Sequence, residues 1–270
     1  MSDAQGVNEP TVCCVMLTRD RPEMAARAVR CFQRQTYERK KLLVYDTGEK
    51  HLEGVPFVNT EFALQRGPIR QLLSLTRYAS IGSLRNSACD LAGQFMGAEI
   101  ICHWDDDDYS HPYRIAEQVN LLMTSKKQVV GYRDMLFWRT TLRNDWDRAG
   151  DAYCPDEAWL YYHPHPSYCL GTSLCYWRKT WERKPFGNQP RPGKMTGEDH
   201  DWLEGLDSLG ETSLYLFQGP SGSGYVDFQP RMIATIHGGN SSRQYENLEA
   251  PTWGRVPQWD SAIRHTMEEA

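Results

Sequence analysis

Four consecutive aspartates, Asp105 to Asp108, follow an apolar segment at residues 99–104. Carboxylates a few ångströms apart repel one another, and a bound cation removes that cost. Divalent cations such as Mg²⁺ and Mn²⁺ take oxygen ligands of this kind. The run therefore predicts a divalent-metal site, and the alternative is a solvated acidic turn or the N-terminus of a helix.

Two further groups of residues could do chemistry. Glu198 and Asp199 open an apparent helix, where one of the two carboxylates could act as a general base or both could simply favour the helix N-terminus. Spacing alone does not choose between them. His237 ends an apolar segment and is followed by two glycines, so it is either a ligand or a structural histidine.

The elements that must position these residues alternate between strand and helix. Residues 12–17 predict a strand, and Asp20 and Pro22 predict the start of a helix. A second apolar run at residues 42–45 ends at Asp46 and completes a β-α-β unit. Ligands collect at the carboxyl ends of parallel strands, and Asp46 and the aspartate run each lie at such an end.

Three helices with one apolar face are predicted beside these strands. Their inward-facing residues are Met24, Ala28 and Phe32, then Leu84, Ala88, Leu91 and Ala92, and finally Ile115, Val119 and Leu122.

The second half of the chain has a different pattern. Residues 143–195 are rich in Pro, Trp, Tyr and His and have weak periodicity, so we expect them to form surfaces rather than sheet. The other predicted elements are strands at 128–139, 214–217 and 231–236, a helix at 198–209, and a wrapping or frayed tail over about the last 25 residues.

Composition excludes several classes of protein. The chain has 270 residues, of which 40% are hydrophobic and 24% charged, which indicates one large or two small globular domains. A net charge of -5 argues against a nucleic-acid partner, since phosphate binding needs a basic face. There is no apolar run near the roughly 20 residues of a transmembrane segment, and no secretory signal, so we expect a cytoplasmic location. The 8 cysteines contain no C-x-x-C pair, which favours reduced core thiols.

The order and surroundings of these clusters resemble those of the family 2 inverting glycosyltransferases of GT-A fold, over roughly residues 11–245. The matching segments are Val15–Pro22, Val44–Glu49, Gly82–Asn86, Trp104–Tyr109, Gly171–Leu174, Glu198–Asp199 and His237–Ser242. They are similar, in order, to the opening strand and turn, the Asp-Asp-Gly-Ser loop, a Gly-x-x-x-Arg-Asn element, the Asp-x-Asp-Asp signature, the acceptor segment, the Glu-Asp motif and a late histidine.

The resemblance implies an α/β fold, a single GT-A domain at residues 1–245 whose central, mostly parallel sheet is flanked by helices. Residues 11–130 would bind the nucleotide-sugar and residues 131–245 the acceptor, leaving 246–270 as a C-terminal tail. The implied activity transfers a sugar from a nucleotide-sugar, a UDP-sugar, to a carbohydrate or other hydroxyl acceptor, with Mn²⁺ or Mg²⁺ as cofactor.

The resemblance also implies a role for each candidate residue. Asp199 would be the base and Glu198 would orient it or the acceptor, while Asp107 and His237 would bind the metal. The residues implied in donor binding are Thr18, Arg19, Asp46 for the uracil, Arg85, Asp105 for the ribose, and Asp106.

The sequence departs from the family pattern at two positions, and two other functions are alternatives. Thr47 replaces the second aspartate of the uracil loop, which leaves the donor base open. Asp106 adds a carboxylate, which leaves open the choice of metal ligand within the run. A sugar nucleotidyltransferase would need a glycine-rich triphosphate loop after the first strand, which residues 18–22 do not provide. A non-catalytic carbohydrate-binding module would have no use for the distant Glu-Asp pair and histidine.

Overall fold

A computed structural model of the chain describes residues 9–54, 69–73, 79–140, 156–187, 198–214, 216–218, 226–237 and 248–270. In these ranges the chain forms one large mixed sheet and a separate two-stranded ribbon. The strands are β1 (Val12–Thr18), β2 (Lys40–Asp46), β3 (Ile69–Leu73), β4 (Ile100–His103), β5 (Tyr109–Ser110), β6 (Val129–Arg139), β7 (Glu157–Tyr161), β8 (Cys175–Trp177), β9 (Ser208–Thr212), β10 (Leu216–Gln218), β11 (Val226–Phe228), β12 (Met232–Ile236) and β13 (Trp253–Arg255).

The N-terminal part of the sheet is parallel, in the order β3-β2-β1-β4. In this register Thr18 at the end of β1 lies opposite Asp46 at the end of β2. The parallel strands are continuous apolar runs because both faces are covered. The predicted α/β class, with a central sheet flanked by helices, is confirmed.

The longest strand, β6, joins this parallel part to the rest of the sheet. Its first residues pair with β8 and β9, and its last residues pair with β7 and β12. Strand β8 also pairs with β4, so the two halves of the chain share one sheet. Strand β12 pairs with β5 as well, and β5 follows directly on the aspartate run.

The helices are α1 (Pro22–Gln33), α2 (Ile81–Met96), α3 (Arg114–Ser125), α4 (Arg178–Arg183), α5 (Glu198–Leu203) and α6 (Asp260–Glu269). The predicted inward positions on α3 are all buried. On α1, Ala28 and Phe32 are buried, whereas Met24 is only partly buried. On α2, Ala88 and Ala92 are buried and the two leucines pack at the edge of the core.

Two expectations for the second half were wrong. The segment expected to form only surfaces supplies β7 and β8, which are short strands paired with distant parts of the chain. The helix expected at 198–209 ends at Leu203, and residues 208–212 form β9 instead. Of the two alternatives for the last residues, the structure shows wrapping rather than fraying, because β13 extends the sheet beside β7 and α6 buries Ile263 and Met267.

Seven cysteines are free thiols buried in the fold, as predicted, and Cys154 lies outside the described residues. Within the described ranges, every helix is too short or too polar to cross a bilayer.

Candidate functional site

The aspartate run lies at the carboxyl edge of the parallel strands, immediately after β4. Oxygens of Asp105, Asp107 and Asp108 lie within 4.8 Å of one another. Mg²⁺ and Mn²⁺ sites use oxygens at about 2.0–2.2 Å from the ion, so small side-chain movements would close this trio around one cation. The donor set therefore fits a hard divalent metal. Asp108 belongs to this trio, although Asp107 is the one member of the aspartate run that the resemblance implies as a metal ligand.

Asp106 points to the other side of the run, toward β1 and the start of α1. The Thr18 hydroxyl donates to Asp106 Oδ2 at 2.6 Å, and Arg21 Nη2 lies 2.9 Å from Asp106 Oδ1. Asp106 is buried, and these two contacts hold Arg21 and the end of β1 in place.

Arg21 is a site residue that sequence analysis did not single out. Its Nη1 lies 3.0 Å from Asp107 Oδ2 and 3.5 Å from His237 Nε2, and its side chain is 22% exposed. The Arg21 guanidinium thus lies beside one carboxylate of the aspartate trio and balances the charges of Asp106 and Asp107. The sequence places Arg21 just before α1, but the direction of its side chain depends on aspartates more than 80 residues away.

His237 reaches the aspartate run because β12 pairs with β5. Its Nε2 lies 3.0 Å from Asp107 Oδ2, and both side chains are buried. Thr235, two residues earlier, donates its backbone N–H to Asp108 Oδ1 at 3.0 Å and its hydroxyl to the Asp107 carbonyl at 2.5 Å. The two residues expected to hold the metal are therefore neighbours, although 130 positions separate them in the sequence.

Burial and mutual repulsion raise the pKa of some carboxyl groups in the run, whereas neighbouring positive groups lower that of Asp107. Burial first, and then Asp107, raise the pKa of Asp106 to about 7, and they raise that of Asp108 well above its ordinary value. Burial also disfavours the charge on Asp107, but His237 and Arg21 outweigh it and lower the pKa of Asp107. The aspartate run holds more buried carboxyl groups than the Arg21 guanidinium alone neutralises, and this excess favours a bound cation.

Asp46 lies at the end of β2, beside the end of β1. Its Oδ1 accepts from the Gly48 N–H at 2.9 Å, and its Oδ2 lies 3.0 Å from His51 Nδ1. The loop approaches Asp20 so closely that a Cβ on Gly48 would lie 2.4 Å from the Asp20 nitrogen. Arg19 is 55% exposed, with Nε 3.8 Å from Asp20 Oδ2.

Arg85 on α2 connects the aspartate run to the second acidic cluster. Its Nε donates to Glu198 Oε1 at 2.9 Å, and its Nη2 lies 3.7 Å from Asp105 Oδ1. The Arg85 side chain is buried, and its Nη1 has no hydrogen-bond partner among the described residues. A buried guanidinium nitrogen left in this state favours an anionic or polar ligand group beside it.

Asp199 follows Glu198 but has different surroundings. Its carboxylate lies against Gly171, where a Cβ would be 1.4 Å from Asp199 Oδ2. Burial, and then the neighbouring charge of Glu198, raise the pKa of Asp199, while Arg85 opposes this shift. A carboxylate with a raised pKa is a better proton acceptor, which suits a general base.

The turn at Gly171–Ser173 lies between the base candidate and the aspartate run. The Thr172 hydroxyl donates to Asp108 Oδ2, and His103 Nδ1 lies 2.6 Å from the Gly171 carbonyl, so that carbonyl accepts from the ring. Arg114, fully buried, donates to the Thr172 carbonyl at 3.1 Å. The turn is therefore held by His103, Arg114 and Asp108, and Asp199 lies against it at Gly171.

No protein-family model and no curated protein sequence matches the chain. Solved structures do match. S. aureus TarS superposes with a TM-score of 0.53 and 12% identity, over 84% of this chain and 37% of the TarS chain. A shorter form, TarS 1-349 in complex with UDP, superposes with a TM-score of 0.51 and 11% identity, over 84% of this chain and 60% of that one.

A third match is the mannosyltransferase PcManGT from Pyrobaculum calidifontis in complex with GDP-Man and Mn2+, with a TM-score of 0.49 and 14% identity, over 96% of this chain and 65% of that one. The chain thus spans only part of the TarS chains that it matches. At these identities the likeness to TarS shows a shared fold, which agrees with the α/β architecture expected from the sequence.

Proposed function

We propose that the protein is a metal-dependent inverting glycosyltransferase that moves a sugar from a UDP-sugar to an acceptor hydroxyl. The observation that carries the proposal is the bridge made by Arg85, which contacts Glu198 at 2.9 Å and approaches Asp105 at 3.7 Å. This bridge joins a cluster suited to a metal and a diphosphate with a cluster suited to proton transfer. A nucleotide-sugar lying between them would present its anomeric carbon to a base and its diphosphate to cations.

The donor end of the proposed site is the edge formed by β1, β2 and the aspartate run. Asp46 and Thr18 lie at the ends of adjacent strands, where α/β folds bind nucleotides. Arg85 would contact the donor through its unpaired nitrogen. TarS has this fold and has been solved with UDP, which supports a uridine donor here.

The metal-binding residues would be Asp107 and His237, with Asp105 and Asp108 completing the set. A divalent ion held there supplies charge neutralisation for the leaving diphosphate. Arg21 lies beside the same oxygens and would contribute a second positive charge toward the phosphates.

The proposed chemistry at the acceptor is a single displacement. Asp199 takes the proton of the acceptor hydroxyl, and that oxygen attacks the anomeric carbon from the side opposite the diphosphate. The new bond forms as the bond from the anomeric carbon to the phosphate oxygen breaks, so the configuration inverts. Glu198 holds Arg85 and thereby keeps a cation near both carboxylates.

Release of UDP from a panel of UDP-sugars, with Mn²⁺ and a mixture of hydroxyl acceptors, tests the proposal. Asp199→Asn keeps the shape of the side chain but cannot accept a proton, so transfer falls by about 10² to 10⁴ while UDP binding persists. Asp201→Asn, two positions along the same helix, is the matched control and keeps full activity. Equal activity of Asp199→Asn and Asp201→Asn would exclude Asp199 as the base.

A further inference from the structure

A second cleft lies at the opposite end of the sheet from the candidate site. It has a volume of about 470 Å³ and is bounded by the residue before β4, the end of β8, the start of β6 and the helices α3 and α4. Six residue steps separate Glu99 at this end from Asp105, about 15–20 Å along an extended chain. A ligand in this cleft, which we name the rear cleft, cannot share the donor site.

The rear cleft has a concentration of positive charge. Five cations line it, and Glu99 is the one acidic residue among them. The cations are Lys126, Lys127, Arg178, Lys179 and Arg183. The whole chain has a net charge of -5, so this cluster does not follow from composition. Like charges held together repel one another, and a bound anion would relieve that repulsion.

Three of these cations have no acidic partner among the residues that the structure describes. Lys127 pairs with Asp207 at 2.6 Å, and Arg178 pairs with Glu182. Lys126, Lys179 and Arg183 form no ion pair with any residue that the structure describes, and all three are exposed. The one acid lining the cleft is engaged elsewhere, because Glu99 Oε2 accepts from the Thr11 N–H at 2.8 Å.

The wall between the charges is apolar. Leu122 is buried, Trp177 is partly buried, and Met123 is 40% exposed. An indole and a flexible thioether are suited to contact with a ring or another flat apolar group. The volume falls in the usual range of about 300–1,000 Å³ for small-ligand sites, and the surface is concave, whereas a membrane is flat.

We infer that the rear cleft binds a soluble phosphate-bearing ligand whose phosphate contacts Lys179 and Arg183 and whose apolar or ring portion packs on Trp177 and Met123. Guanidinium and ammonium groups together match the charge and the oxygen geometry of a phosphate. The inference concerns a separate site and does not depend on glycosyl transfer.

Calorimetric titration with phenyl phosphate tests the rear cleft. EDTA is present to keep phosphate away from any metal in the aspartate trio. Phenyl phosphate should bind one-to-one and more tightly than inorganic phosphate, because its ring adds apolar contact, while benzyl alcohol should not bind measurably. The double variant Lys179→Gln/Arg183→Gln removes two charged hydrogen-bond donors and should weaken binding at least about tenfold.

The matched control is Arg264→Gln, which removes an exposed arginine on α6, away from the cleft, and should leave phenyl phosphate affinity unchanged. Both variants change exposed side chains, and equal melting temperatures would show that they fold alike. Equal phenyl phosphate affinity in the double variant and the control would overturn the inference. Binding to phosphatidylserine vesicles without binding to phenyl phosphate would also overturn it, since the cleft would then be a membrane contact.

Discussion

Gly171 is the position at which a single added methyl group most directly tests the proposed base. A Cβ at this position would lie 1.4 Å from Asp199 Oδ2 and 2.4 Å from Asp199 Cγ. The glycine backbone cannot easily retreat, since its carbonyl accepts from His103 and the next residue, Thr172, is bonded to Asp108. Gly171→Ala must therefore move the Asp199 carboxylate rather than the turn.

The size of that movement sets the expected loss of activity. Cβ atoms almost never approach other heavy atoms within 3.0 Å, so the carboxylate oxygen must move by at least about 1.6 Å. A misplacement of about 1 Å at a reacting group can cost about 10²-fold in rate. Gly171→Ala should therefore lower the rate of transfer by about 10²-fold or more. UDP binding with Mn²⁺ should be unchanged, because the substitution does not contact the donor end formed by β1, β2 and the aspartate run.

Single-turnover transfer and calorimetric UDP binding, measured on the same preparations, separate these two effects. Gly254→Ala is the matched control, because a Cβ at Gly254 meets nothing within 4 Å. Wild-type transfer by Gly171→Ala would refute the assignment of Asp199 as the base. Loss of UDP binding equal to the loss of rate would mean that the turn supports the whole site rather than the base alone.

The charges in the site support four other predictions. Arg21→Gln should raise Mn²⁺ affinity about tenfold at alkaline pH, because the Arg21 guanidinium, 3.0 Å from Asp107 Oδ2, repels a cation. Calorimetry that finds unchanged or weaker Mn²⁺ binding would contradict this prediction. Asp107→Asn should abolish the additional thermal stabilisation that Mn²⁺ gives with UDP, about 2.7 kcal/mol at 100 times the dissociation constant, whereas a retained shift would assign the metal to other ligands. The acid limb of kcat/KM should lie above the ordinary carboxyl pKa, because burial and Glu198 raise the pKa of Asp199 and activity is lost as pH falls through that value. Arg85→Gln should move the limb to still higher pH, since Arg85 lowers this pKa, and a limb that stays in place would contradict the coupling.

Strands β1, β2 and β4 of the parallel half could be predicted because their signals are local, whereas β3 was not expected. Strands such as β1 are continuous apolar runs, and α3 repeats its buried positions at helical spacing. Strands β7 and β8 are three to five residues long and gain their order from partners far along the chain, such as Cys175 opposite Cys102. Short strands with nonlocal pairing leave little periodicity, so β7 and β8 could not be predicted from it.

The contrast between local signals and distant contacts also separates the site residues that could be predicted from those that could not. Asp107 and His237 could be singled out because each ends or follows a strand, and strand ends converge at one edge of a parallel sheet. Arg21 and the buried His103 act through the directions of their side chains, which are set by distant partners. Sequence spacing places a Cα atom on an element but does not specify which of several partners its side chain meets.

Glu198 and Asp199 show what tertiary contacts add to a pair of adjacent acids. In the sequence the two residues are interchangeable, since both open the same helix. In the structure Arg85 donates to Glu198 at 2.9 Å, so the Glu198 carboxylate is engaged with a guanidinium. Asp199 lies instead against Gly171, where the absence of a side chain leaves room for its carboxylate. The neighbouring charge of Glu198 also raises the pKa of Asp199, so the first acid positions a cation and makes the second a better base.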